Sequence, residues 1–460
     1  MMRRIFALSI ALALPLASAW GKAEKLTETK LPNGLVVHEY RLKNGMQLLF
    51  VPDQSAPVFT YQVWFKVGSA GEKMDPRLQK TGLAHFFEHM MFRGTKRVPE
   101  GQFDARLSAA GSVGLNATTW LDRTNYFASL PKEKLELAFE LESDRMANLV
   151  INEKAFKNEL GAVIGELKMR QDKPSSVAYE SVWDLAFEKH PYKYTVIGTV
   201  DELNSFTIED AMYFYKMHYA PNNAALILIG DFSVTKALAL AEKYYGKYPA
   251  KQLPKPEVPI EPLQSEARKR EITHPLANSN FLYWGYKIPD GKSGDIAALE
   301  VVGAMLSTGD GSILERELVQ TGNASSIGAG PGRNRYPGLF FVTIQMATGK
   351  NDDVAYKSLN KALERFREGK VSDAEIERAR NQYLLGSYNE LLNASTIGTN
   401  LGESLVTTDN YLREFQLLEE LKKVTAEDIK RVANAYLVEK NSNQVRLIPA
   451  PPPAAKGDSK

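Results

Sequence analysis

The segment Thr81 to Gly94, TGLAHFFEHMMFRG, sets His85 and His89 four residues apart, with Glu88 directly before the second. Only six histidines occur in 460 residues, so two of them spaced one helical turn apart beside an acid carry chemical content. On a helix, residues four apart share a face, and both imidazoles can turn a nitrogen toward one ion. Glu88 falls at the margin of that face. There its carboxylate can take a proton from a metal-bound water without ligating the metal itself. Neutral imidazoles holding zinc, a metal that acidifies water and a carboxylate that receives the proton together form the logic of a metal-dependent hydrolase.

The order H-x-x-E-H is the inverzincin pattern, the reverse of H-E-x-x-H. A catalytic zinc needs a third protein ligand. The chain has no cysteine, which removes thiolate ligands, thiolate nucleophiles and disulfides together. The third ligand must then be another histidine or a carboxylate. NEKAFKNELGAVIGELKMRQD carries Glu159 and Glu166 seven apart on one face of a helix, with Leu160, Val163, Ile164 and Leu167 supplying the apolar face. From spacing alone this pair reads equally as two solvated surface acids. His38, His190, His218 and His274 stand singly and read as structural or exposed residues. STGDGSILERE and GAGPGRNRYPG are glycine-rich but lack the G-K-[ST] ending of a phosphate loop, so they read as turns.

The elements that must hold these residues follow from composition and patterning. With 57 basic and 55 acidic residues the net charge is +2, and no single-sign field points to nucleic acid as a partner. MMRR followed by IFALSIALALPLA and Ala17-Ser18-Ala19 has the form of a signal peptide over 1–19. Its apolar run is too short for a membrane anchor. Export follows as an expectation, to the periplasm or to the medium. Alternation from Leu26 to Gly68, punctuated by Asn33-Gly34 and Asn44-Gly45, reads as strands and hairpins. Helical patterning begins near Lys80 and covers the histidines. Strand-like alternation returns in GSVGLNATTWLDRTNYFASL, and two helices and a buried strand from Ala224 to Gly230 follow. The proline-dense YPAKQLPKPEVPIEPLQSEARKREITHP then reads as a linker, after which strands and helices recur in a similar order. The expectation is an α+β chain of two similar domains, each a mostly antiparallel sheet packed with helices. The boundaries are 20–250 for the first domain, 251–275 for the linker, 276–449 for the second domain and 450–460 for a disordered tail.

HFFEH followed 77 residues later by the second acid of an E-x6-E helix resembles the pitrilysin/insulinase family, near its bacterial members similar to mitochondrial processing peptidase. The resemblance spans nearly the whole chain after the signal. It implies a zinc endopeptidase whose two domains form half of a clamshell. The implied ligands to one Zn2+ are His85, His89 and Glu166, with Glu88 as general base and Glu159 as an acid that supports the site. GSVGLNATTWLDRTNYFASLP resembles the family's edge strand for extended peptide, which puts Asn116 and Ala117 at the substrate backbone. An added strand is held by main-chain hydrogen bonds whatever its sequence. Complete members also carry an Arg and, seven residues later, a Tyr in the second half; Val319 and Ser326 occupy those positions here. The resemblance therefore implies a zinc-carrying chain that works with a paralogous subunit supplying Arg and Tyr, or as a homodimer. The alternative is a non-catalytic peptide-binding or assembly subunit.

Overall fold

The computed structural model describes residues 23–451. The expected signal peptide and residues 452–460 of the expected tail lie outside them. The first half begins with β1 (Glu24–Lys30), β2 (Val36–Arg41), β3 (Gln47–Pro52) and β4 (Val58–Phe65). Then come α1 (Ser69–Met74), α2 (Leu83–Met90), α3 (Gln102–Ala109) and the hairpin β5 (Val113–Thr119) and β6 (Thr124–Pro131). Helices α4 (Leu135–Asn148), α5 (Glu153–Gln171), α6 (Pro174–Ala186), α7 (Val200–Asn204) and α8 (Ile208–His218) lead into β7 (Ala224–Gly230) and α9 (Val234–Tyr244).

The second half runs through β8 (Arg268–His274), β9 (Phe281–Ile288), α10 (Asp295–Ser307) and a π-helical turn (Glu315–Val319) to the hairpin β10 (Ala324–Pro331) and β11 (Gly338–Met346). Helices α11 (Asp353–Glu368), α12 (Asp373–Glu390), α13 (Ala394–Thr408), α14 (Arg413–Leu421) and α15 (Ala426–Tyr436) precede β12 (Ser442–Pro449). The stretch 251–275, expected as a linker, thus ends in a strand of the second sheet.

The sheets are ordered β1-β2-β3-β7-β4-β6-β5 and β10-β11-β9-β12-β8. Pairing β3 to β7 with β8 to β12 in chain order maps one sheet onto the other, strand for strand. Each has one parallel pair, β3 with β7 and β8 with β12, among antiparallel neighbours. The chain is therefore two α+β domains of one topology, the first extended by β1 and β2.

The helices between the equivalent strands also correspond, and one pair is exchanged. Helix α6 of the first half packs on β8, β9 and β12 of the second, and its counterpart α13 packs on β4 and β7 of the first. Each exchanged helix seats where glycine permits close approach. A Cβ on Gly402 of α13 would lie 2.1 Å from Trp64, and one on Gly285 of β9 would lie 2.6 Å from Val182 of α6. The exchange explains why β7, AALILIG, is buried along its whole length. Leu226 and Leu228 face the first half's own core, while Ala225, Ile227 and Ile229 join Ile397, Leu401 and Leu405 of α13 in the second. A strand covered on both faces carries a continuous apolar run rather than alternation.

Candidate metal centre and edge strand

Helix α2 buries Leu83, Ala84, Phe86, Phe87 and Met90. That anchoring leaves His85, Glu88 and His89 on the remaining side. Its start is fixed by Gly82 at φ 92, where a Cβ would collide with the carbonyl of Ile197. The carboxylate of Glu72, wholly buried on α1, accepts from the backbone N–H groups of Gly82 and Ala84, capping the helix from outside it. Helix α5 lies against α2. Its N-cap Asn152 accepts from the Ala155 N–H, and it buries Phe156, Glu159, Val163 and Leu167. This pair of helices brings together the two acids and two histidines that the sequence separates by 70 to 81 residues.

One oxygen of Glu166 faces both imidazoles: Oε2 lies 3.6 Å from His85 Nε2 and 3.5 Å from His89 Nε2. Ligands at about 2.05 Å on a tetrahedral zinc stand about 3.3 Å apart, so these edges are the size a zinc ion requires. His85, His89 and Glu166 have ligand-type atoms within 4.8 Å of one another, the single such group among the described residues. The residues present therefore fit a zinc ion by chemistry and, along the two edges that Glu166 makes with the histidines, by spacing.

Around them stand partners that set their orientation. Arg170 donates to Glu166 Oε1 at 3.2 Å, leaving Oε2 for the histidines. Glu159 Oε2 lies 3.2 Å from His89 Nδ1, which turns Nε2 inward, and Glu159 Oε1 is paired with Arg93. Arg93 in turn reaches Glu100 at 2.9 Å. A carboxylate behind a ligating histidine is the usual outer support of a metal site.

The electrostatics set the two histidines apart. Burial lowers His85 to about 4 and keeps it neutral, as a ligand must be. Burial acts against the charged form of His89 too, but hydrogen bonds to Glu159 and Glu166 outweigh it and raise the group to about 9, so zinc binding at this imidazole must displace a proton. The hydrogen bond from His89 holds Glu166 near 2 against burial. Glu159, although buried, is held below the usual carboxylate range by His89 and Arg93. Glu88 goes the other way: burial raises it, and the hydrogen bond from Thr119 only partly offsets this.

Strand β5 is the free edge of the first sheet, beside α2. Asn116 is exposed on it opposite Phe127, and Ala117 is buried opposite Tyr126. Val319 ends the π-helical turn and packs on the second core, and Ser326 is exposed on β10 opposite Gln345. The four remaining histidines stay outside the group. His38 meets Glu28, the ring of His190 accepts from the Tyr192 N–H, His218 sits by Asp75, and His274 bonds the Gln171 carbonyl. Sequence reading missed Glu72, Arg93, Thr119 and Arg170. Of these, only Arg170 had a local signal, its i,i+4 spacing from Glu166.

Comparison with known proteins places this geometry in context. The profile "Insulinase (Peptidase family M16)" matches residues 48–200 and "Peptidase M16 inactive domain" matches 205–383. The zinc protease PqqE of Helicobacter pylori is 30% identical over 89% of this chain and 92% of its own. A probable mitochondrial-processing peptidase subunit beta of Arabidopsis thaliana is 26% identical over 87% and 76%. A crystal structure of a protease from Helicobacter pylori superposes with TM-score 0.84 at 28% identity, covering 90% of this chain and 99% of that one. The fold also matches the periplasmic protease PqqL of Escherichia coli with TM-score 0.73 at 19% identity, covering 92% of this chain but 48% of that longer one.

Proposed function

Because the chain belongs to the M16, or insulinase, family of peptidases, we propose that it is an exported zinc-dependent endopeptidase acting together with a second two-domain chain. The observation that carries this reading is the division of labour among the acids. Glu166 shares one oxygen between two imidazoles, while Glu88 is outside that trio and accepts a hydrogen bond from the Thr119 hydroxyl. A zinc ion held by His85, His89 and Glu166 supplies Lewis-acid activation of water and of a peptide carbonyl. An extended peptide adds to the free edge of β5, aligned along Asn116 and Ala117. Glu88 takes a proton at its free Oε1 and returns it to the leaving amine; its burial, which raises its pKa, suits it to hold that proton in between. Glu159 keeps His89 turned and Arg170 keeps Glu166 turned. Export rests on the signal-like residues 1–19, with the periplasm as the destination. No helix among the described residues is long and apolar enough to cross a membrane.

The two domains form half of a clamshell, and the fold matches about half of the longer PqqL chain. The other half is proposed to be a paralogous chain that carries the Arg/Tyr pair, or a second copy of this one. Val319 and Ser326 favour one further reading, a peptide-binding or assembly subunit without turnover. Hydrolysis of a mixed quenched-peptide pool decides, measured with and without chelator, for the chain alone and with a co-purifying paralogue. Chelator-sensitive cleavage in either setting supports the endopeptidase. Metal-loaded protein silent in both settings overturns it in favour of the subunit reading.

A further inference from the structure

Glu88 makes one side-chain hydrogen bond among the described residues: the Thr119 hydroxyl donates to its Oε2 at 2.6 Å. Thr119 is the last residue of β5, the strand whose free edge is open to a peptide. Resting on the reading of Glu88 as the base, we propose that Thr119 is a positioning residue for it. Its hydroxyl ties up one carboxylate oxygen and presents the other to the reacting proton, so that the strand that receives the peptide also aims the base.

The hydroxyl is held in place from several sides. Thr119 pairs with Thr124 across the hairpin, and Trp120 donates its N–H to the Arg123 carbonyl to close the turn. The Arg123 guanidinium bonds the Thr118 carbonyl at 3.2 Å, the Thr118 hydroxyl, and Asn125 Oδ1 at 3.0 Å. It stacks over Trp64, and its Nε reaches Glu403 of the exchanged helix α13 at 2.9 Å. The strand end is thereby locked to the second half of the chain. Glu88 is different: its flexible side chain would otherwise choose among several rotamers. A hydroxyl donor on one oxygen limits that choice without placing a charge beside the base. An effect on aim rather than on binding belongs in kcat, because the peptide backbone is held upstream at Asn116 and Ala117.

The test compares Thr119→Val, which keeps the shape and removes the donor, with Thr119→Ser, which keeps the donor. It uses the zinc-loaded full chain, with its partner chain if cleavage requires one. Thr119→Val is expected to keep one equivalent of zinc and a KM within about 3-fold, while kcat falls about 10-fold or more. Thr119→Ser is expected to restore kcat to within about 3-fold of the parent. Unchanged kcat in Thr119→Val, or an equal loss in both variants, overturns the proposal. A second readout does not depend on turnover: in a crystal structure of metal-free Thr119→Val, the Glu88 carboxylate is expected to leave its present position. A carboxylate that stays in place overturns the positioning role even if the wild-type chain proves to cleave nothing, which would be a failure of the endopeptidase reading instead.

Discussion

Replacing Gly402 with alanine tests the exchange of helices between the halves. An ideal Cβ at that position lies 2.1 Å from Trp64 Cε2, 2.4 Å from Nε1 and 2.5 Å from Cδ2. The indole cannot retreat freely. Trp64 is wholly buried, its Nε1 donates to Gln62 Oε1 at 2.9 Å, and Gln62 Nε2 donates to the Ser395 carbonyl of α13 at 2.8 Å. Overpacking a buried site costs about 1–3 kcal/mol, and straining the indole–amide chain adds about 1 kcal/mol. Alanine's better helix propensity returns about 0.5–1 kcal/mol. The net expectation is a loss of roughly 1–3 kcal/mol. Gly386 on α12 is the control, being exposed with nothing within 4 Å of the point a Cβ would occupy. Gly386→Ala should gain about 0.5–1 kcal/mol. Urea titrations followed by far-UV circular dichroism report both. A Gly402→Ala chain as stable as the parent, or stabilised like the control, would refute the seating of α13 on β4.

Asp122 gives a pH-dependent expectation. Burial raises its carboxyl to about 6 from 3.8, although Tyr192 and the Arg335 N–H donate to it. Between those values the folded chain holds a proton that the unfolded chain has lost, so this group makes stability fall as pH rises from about 4 to about 6. Asp122→Asn should therefore gain on the parent by up to about 3 kcal/mol between pH 4 and pH 7, read from urea midpoints at both; a pH-independent difference would contradict this. Glu159→Gln keeps an acceptor for His89 but loses the charge that Arg93 pairs. Its zinc affinity should drop about 10- to 100-fold in competition with a chromophoric chelator, and no change would show that the negative charge of Glu159 does not support the metal site.

What the sequence revealed and what it hid divides along the range of the contacts. The histidines and the acids of α5 were legible because each pair is spaced along one helix, where period alone decides which side chains share a face. The convergence of the two helices was reached through family resemblance, since spacing left Glu159 and Glu166 open to reading as surface acids. Helix α6 went unread although Ala178, Val182 and Ala186 recur at helical spacing. The face they form is buried on the other half of the chain, and nothing local announces that. Strand β8, RKREITH, carries so little apolar content that the preceding prolines mask it, and its burial alternates between half-covered and exposed positions until His274, which is buried. Thr119 and Glu88 are 31 residues apart on a strand and a helix, so their hydrogen bond exists only in the folded chain.

The most direct test of the account is the zinc content and peptide hydrolysis of Glu88→Gln beside the parent chain. The geometry predicts one equivalent of zinc in both, because His85, His89 and Glu166 are untouched, with hydrolysis in the variant reduced by about 100-fold or more. Loss of zinc would make Glu88 a ligand, and hydrolysis at the parental rate would remove it as the base; either result contradicts the division of roles proposed for these acids.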